Sequence, residues 1–267
     1  MLFYNKSMNR LNLAKQAFRN KDLGQTKRSH TTKAIKQHIF RHDEVHASNF
    51  NLPEIILGGQ DGLVNVLGVI LGVAAATTNT QIIIVAGMAA TFAESFSMAA
   101  VAYTSKLAEA DYYQSEYERE KWEIENYPEG EREEIKALYK SYGFKGNVLD
   151  EIITRITANK DIWLRVMMEQ ELKLELVNRR KAIPAAVTVG LSALAGSFIP
   201  LIPFLLLPVG TAIFGAIIAT SIVLFIAGYY KAKMTIGRSF VKMGLEMMII
   251  GMLAAGVGYL VGSIFKV

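Results

Sequence analysis

The sequence predicts an all-α, polytopic membrane protein with five transmembrane helices. Three observations predict it. Five stretches of 22 to 25 residues are apolar on every side, and a bilayer core of about 30 Å needs about 20 such residues in a helix. None of those stretches contains Lys or Arg. The averages of 51% hydrophobic and 20% charged residues, with a mean hydropathy of +0.24, hide a segregation of apolar blocks from charged ones that a single soluble domain does not show.

The first block, residues 1–53, is a basic tail that includes Lys6, Arg10, Lys15, Arg19, Lys21, Lys27 and Arg28. Such a segment is attracted to anionic lipid headgroups of the bilayer. The sequence pI near 9.2 would suit nucleic acid on a soluble fold, but no aromatic or motif support for nucleic acid binding accompanies it. The tail carries all four histidines, with His38, His42 and His46 spaced i, i+4, i+8. A metal-attracting stripe fits that spacing, and a solvated helix face fits it too, as the commoner outcome. No cleavable signal peptide is expected, because the first apolar run follows this tail.

Transmembrane helices 1 and 2 are expected within residues 54–104, at 54–76 and 82–104. The third to fifth are expected within 183–267, at 183–207, 209–230 and 243–265. Pro200 and Pro203 should kink or end the third near its far side. Ten basic residues precede residue 53, 14 lie between 105 and 182, and four between 231 and 242. The positive-inside rule makes these three segments cytoplasmic and puts the C-terminus outside or in a lumen. The complete lack of cysteine excludes disulfide scaffolds, thiolate zinc sites, iron–sulfur clusters and cysteine nucleophiles.

Four carboxylates fall inside the spans: Glu54, Asp61, Glu94 and Glu246. A charge at mid-bilayer costs roughly 2.5 to 3.5 kcal/mol on the more lenient scales. With no basic residue in any span, protonation, a water-filled path or a bound cation must offset that. Asp61 is surrounded by Gly58, Gly59 and Gly62, which let a second backbone approach. Glu94 and Met98 share a helix face at i, i+4. Glu54 lies two turns before Asp61, where an interfacial position is an equally good account. Glu246 reads as a snorkelling or interhelical hydrogen-bonding group.

Between the second and third spans, residues 105–182 form a cytoplasmic helical domain. Its segment 109–134 holds 11 carboxylates and three basic residues. Glu120 and Glu123 are one helical turn apart, Pro128 and Gly130 break the chain, and Glu131 and Glu134 repeat the pair. Two helices joined there can form an oxygen cage for a divalent cation. A third helical element is expected over 161–178, where Met167, Met168 and Glu171 could add thioether sulfur and a further carboxylate that suit a borderline transition metal, although core packing is the commoner reading of the methionine pair on its own. Catalytic di-iron bundles need Glu-x-x-His, and 105–182 has no histidine, so no enzyme is expected.

At these residues the chain resembles the vacuolar iron transporter family over about residues 46–265. The resemblance rests on GGQDGLVNVLGVILGVA, AESFSMAAVAYTSKLAEAD, the Glu-rich hairpin, WLRVMMEQEL and LIPFLLLP, in that order. It implies a homodimer of five-helix subunits that exports Fe2+ from the cytosol in exchange for protons, with no prosthetic group. Mn2+, Co2+ or Zn2+ are possible further cargo. It implies that Glu120, Glu123, Glu131, Glu134, Met167, Met168 and Glu171 bind metal in the cytoplasmic domain. Asp61, Glu94 and Met98 would line the translocation pathway, with Glu54 at its cytoplasmic mouth. An acidic residue that some members carry at the start of the first span falls here on Phe50. Glu94 matches the AE-x-x-SM pattern of prokaryotic-type members, so the membrane would be the plasma membrane, or a vacuolar one in a eukaryote. A membrane-anchored metal sensor or buffer is the other class, its spans dimerising through Gly68-x-x-x-Gly72 and Gly258-x-x-x-Gly262; such an anchor has no use for Asp61 and Glu94 at depth.

Overall fold

The structure is a computed structural model and describes residues 16–17, 20–29, 31, 52–234 and 239–265. His38, His42, His46 and Phe50 lie outside the described residues. A short helix α1 (Leu23–Ser29) is followed by α2 (Leu52–Ala76), α3 (Thr80–Asn126), α4 (Pro128–Ser141), α5 (Gly146–Thr157) and α6 (Lys160–Val166). A π-helical turn (Met167–Glu171) and a 3-10 turn (Arg179–Lys181) lead into α7 (Ala182–Leu206), α8 (Val209–Met234) and α9 (Phe240–Ile264). No strand occurs among the described residues. Five of the helices are long and apolar enough to cross a membrane, and the chain is an all-α polytopic membrane protein.

The chain divides into two compact units, one of residues 1–99 with 188–267 and the other of 100–187. In the first unit, α2 packs against α8 and α9, and α8 against α9. The core holds Val66, Leu67, Ile70, Ile83, Leu201 and Phe204. Outward-facing rows are apolar as well: Phe214, Ile218, Ile222 and Ile226 of α8 recur every fourth residue and are all exposed. Apolar side chains both inside and outside are what a lipid solvent permits.

Glycine sets how close these helices come. A Cβ at Gly58 or Gly62 of α2 would run into the carbonyl oxygens of Val189 and Ala193 on α7. A Cβ at Gly258 or Gly262 of α9 would strike the carbonyls of Gly68 and Gly72. The two Gly-x-x-x-Gly patterns therefore meet each other within one chain, in α2–α9 packing.

Three element boundaries differ from the sequence reading, and of the two outcomes expected at the prolines of the third span, a helix end is not seen. The second span does not stop at 104: α3 is unbroken for 47 residues to Asn126, because no Gly or Pro lies between residues 88 and 126 and good helix formers predominate there. The third span does not end at Pro200 or Pro203; both lie inside α7. In an apolar setting the backbone groups freed by proline have no better partner than the helix, and α7 ends just before Pro208, which disfavours helical geometry at Leu207. The fourth helix runs on to Met234 and so includes Lys231 and Lys233. The helix expected over 161–178 stops at the π turn. Lys173 has a left-handed φ of 56°, and the Leu174 N–H donates to the Met168 carbonyl at 2.8 Å, a capping pattern that reverses the chain.

The second unit is a conventional amphipathic cluster. Pro128 opens α4, where its missing N–H is harmless. The Asn159 side chain caps α6 by accepting from Asp161 N at 2.9 Å and Ile162 N at 3.2 Å. Ile124, Ile135, Leu149, Ile153, Trp163 and Leu164 form its core.

The glycine contacts give a direct test. Gly258→Val forces α2 and α9 apart and is expected to destabilise the detergent-solubilised protein by about 1–3 kcal/mol or more. Gly256→Ala, where a Cβ meets nothing within 4 Å, should be neutral or stabilising by up to about 1 kcal/mol. Thermal unfolding of the two variants side by side checks the contrast.

Candidate metal centre

Three elements of the second unit converge. The end of α3 supplies Glu116, Arg119, Glu120 and Glu123; the start of α4 supplies Glu131 and Glu134; the π turn supplies Glu171, while its Met167 and Met168 lie in the apolar core of the unit. Gly130 makes the α3–α4 junction tight, since any Cβ there would enter the Tyr127 ring. With the junction fixed, Glu120, Glu123 and Glu131 each offer a carboxylate oxygen, and the three oxygens lie within 4.8 Å of one another.

Glu120 is 1% exposed and Glu131 4%. One oxygen each of Glu120, Glu131 and Glu171 is buried without a hydrogen-bond partner. Desolvation pushes the Glu131 carboxyl up to about 8, helped by the neighbouring charges of Glu120 and Glu134. Burial likewise raises Glu120, against the opposing pull of Arg119, and raises Glu171, with Glu134 adding to the effect. Glu134 is itself exposed but close enough for its charge to act on both neighbours. Met167 and Met168 are buried with Ile124 and Ile135, the residues that adjoin Glu123 and Glu134 in sequence.

A π-helical turn rotates successive side chains differently from an α-helix and recurs at functional sites. Here it buries two adjacent methionines while leaving Glu171 half-buried. The turn is tied to α4 by the Tyr139 hydroxyl, which donates to Gln170 Oε1 at 3.1 Å. Oxygen-rich and buried, with carboxyls lacking partners, the cluster has the chemistry of a divalent-cation site.

Sequence reasoning missed Arg119. Its guanidinium lies 2.8 Å from Glu116 and 2.6 Å from Glu120, and it also pairs with Glu123. Glu116 three before and Glu123 four after share a helix face with Arg119, so that part of the signal was present in the spacing; the pair with the adjacent Glu120 was not.

In the first unit, Asp61 is half-buried and lines a cavity of about 280 Å³ with Leu57, Gln60, Val64, Ile250, Gly251 and Ala254. The Glu94 carboxyl of α3 lies against Asp61 and the Asn65 amide of α2. Two carboxylates in contact need something positive between them, a proton or a metal ion. Asn65, one turn after Asp61, was not singled out from sequence. Met98 is half-buried, one turn beyond Glu94. Glu54 sits in the first turn of α2, where a helix dipole favours an acidic residue. Glu246 shares a small cavity with Gln60, Lys231, Met243 and Met247. The expectation that no span carries a basic neighbour for it fails, because α8 continues through Lys231.

The raised Glu131 carboxyl has a stability consequence. Its folded-state value of about 8 exceeds the ordinary 4.5, so its contribution is fully present below about 4.5 and is lost as pH climbs through about 8. Both tryptophans, Trp122 and Trp163, lie in this unit, and their fluorescence should report a metal-free melting temperature that falls from mildly acidic to alkaline pH. Mn2+ should reverse the fall, and Glu131→Gln should flatten it.

The VIT family profile matches residues 52–263. A vacuolar iron transporter of Centaurea cyanus is 31% identical over 82% of this chain and 90% of its own length. Vacuolar iron transporter 1 of Arabidopsis thaliana is 30% identical over 80% of this chain and 85% of its own. One from Plasmodium falciparum is 31% identical over 95% of both chains, a match that reaches into residues before 52. On this evidence the chain belongs to the VIT family.

Proposed function

We propose that the protein carries Fe2+ out of the cytosol across its membrane in exchange for protons, as a homodimer, and that residues 105–182 are a cytoplasmic domain that loads the ion. The observation that carries the reading is the Asp61–Glu94 contact inside the spans. A passive anchor gains nothing from two touching carboxylates at that depth, whereas a cation carrier requires them. Relatives named as vacuolar iron transporters support iron as the cargo.

On this reading Fe2+ is first gathered by Glu120, Glu123 and Glu131, with Glu134, Glu171, Met167 and Met168 completing the donor set. Carboxylate with thioether favours a borderline ion over Ca2+ or Mg2+, and Mn2+, Co2+ and Zn2+ are admitted as alternative cargo. The ion then reaches Asp61, Glu94 and Met98, with Glu54 at the entrance. There it replaces the proton that the two carboxyls must otherwise share, and the released proton moves in the opposite direction. That one-for-the-other substitution is the physical basis of antiport.

Asp61→Ala should abolish coupled metal uptake and internal pH change in proteoliposomes while leaving metal binding by the helical unit intact. Full transport by this variant rejects the pathway. Metal binding with no transport by the wild-type protein would favour a membrane-anchored sensor or buffer instead. A panel of Fe2+, Mn2+, Co2+ and Zn2+ in the same assay ranks the cargo.

A further inference from the structure

The carboxylate cluster carries its own cation, and we propose that Arg119 is a positioning residue whose fixed charge limits the site's affinity, so that a divalent ion can be passed on. This rests on the reading of the cluster as the loading site. Among the described residues, the ion pairs made by Glu116, Glu120 and Glu123 all go to Arg119.

The geometry lets arginine and metal coexist. Glu120 gives Oε1 to Arg119, while its Oε2 is buried and has no partner. The guanidinium therefore takes Oε1 and leaves Oε2 for an ion shared with Glu131. Arg119 remains 45% exposed, so a metal entering the buried side does not have to expel it. A planar fork that grips three carboxylates from one helix is also hard to displace.

Coexistence has a consequence for affinity. A positive charge one carboxylate away from a divalent ion repels it, and partial exposure screens this repulsion without removing it. A storage site would do better without the arginine. A site that must unload benefits from it, because binding that is too tight stalls transfer.

The test uses the full-length protein in detergent, in mildly alkaline buffer, with Mn2+ as the probe. Titration calorimetry gives the affinity, and a chelator chase in a stopped-flow instrument gives the release rate. Arg119→Gln should bind Mn2+ about tenfold tighter and release it correspondingly more slowly. Arg119→Lys, which keeps the charge, should stay within about threefold of wild type. Arg119→Met, with a similar stem and no charge, should behave like the Gln variant and stands in for it if that variant does not fold. A purely structural arginine would lose affinity on replacement, so the sign of the change is diagnostic. Unchanged or weaker binding by the uncharged variants, with wild type binding normally, overturns this inference and leaves the loading site standing. Tightening in the Lys variant as large as in the Gln variant overturns it as well. Absence of binding by wild type removes both.

Discussion

Negative charge taken out of water with too little positive charge beside it is the constraint on which the rest of this molecule turns. Glu120 and Glu131 are almost inaccessible, and removing a carboxylate from solvent costs several kcal/mol even after relaxation. Two such carboxyls, with oxygens within 4.8 Å of each other, resist being charged together, which adds to desolvation in pushing the Glu131 carboxyl up to about 8. Arg119 pairs with Glu120 and offsets only part of that cost. The arrangement persists because Ile124, Ile135, Trp163 and Met167 bury apolar surface in the same unit, and the helices that carry them bring the carboxyls along. Hydrophobic packing thus holds open an electrostatic deficit that a divalent ion would fill.

The same logic operates in the first unit with different materials. Asp61 and Glu94 meet across α2 and α3, and what fixes α2 is close backbone contact rather than large side chains. Gly58 and Gly62 let it press on the carbonyls of α7, and Gly68 and Gly72 meet Gly258 and Gly262 of α9. In a lipid environment, where apolar side chains gain little by turning inward, such contacts are the available means of holding a helix still.

What the sequence made legible followed from composition and regular spacing. Five apolar runs located the spans to within a few residues at most ends, and three of the four glutamates in the i, i+3 pairs, Glu120, Glu123 and Glu131, are brought together. What escaped depended on context. Whether Pro200 and Pro203 break α7 depends on whether the freed backbone has another partner, which local sequence does not specify. The π turn at Met167–Glu171 has no recognised residue code, and an α-helical reading of 161–178 was the natural default. Arg119 was overlooked because a basic residue in an acidic run reads as a solvated charge, and only its three partners reveal otherwise. Asn65 went unnoticed for a similar reason: its importance comes from a carboxyl on another helix.

On the proposed reading, the packing around α2 bears on how exchange at Asp61 would proceed. The α2–α7 and α2–α9 contacts set backbone against backbone, so sliding either pair would separate helices whose glycines leave no spare room. By contrast, a Cβ at Gly87 of α3 would meet side chains, those of Leu201 on α7 and Ile70 on α2, both buried in the core. The α2–α3 contact at this point is thus made through side chains rather than backbone, and α2 and α3 are also the helices across which Glu94 faces Asp61. On the proposed reading, the trade of proton for metal needs only that the Glu94 side of the pair can adjust while the Asp61 side is held. A rigid carboxyl opposite a movable one can accept either a proton, with the two oxygens drawn together, or a larger ion, with the two moved apart. Such a pair selects between occupants by distance, and the glycine contacts keep that distance from being absorbed by motion of α2.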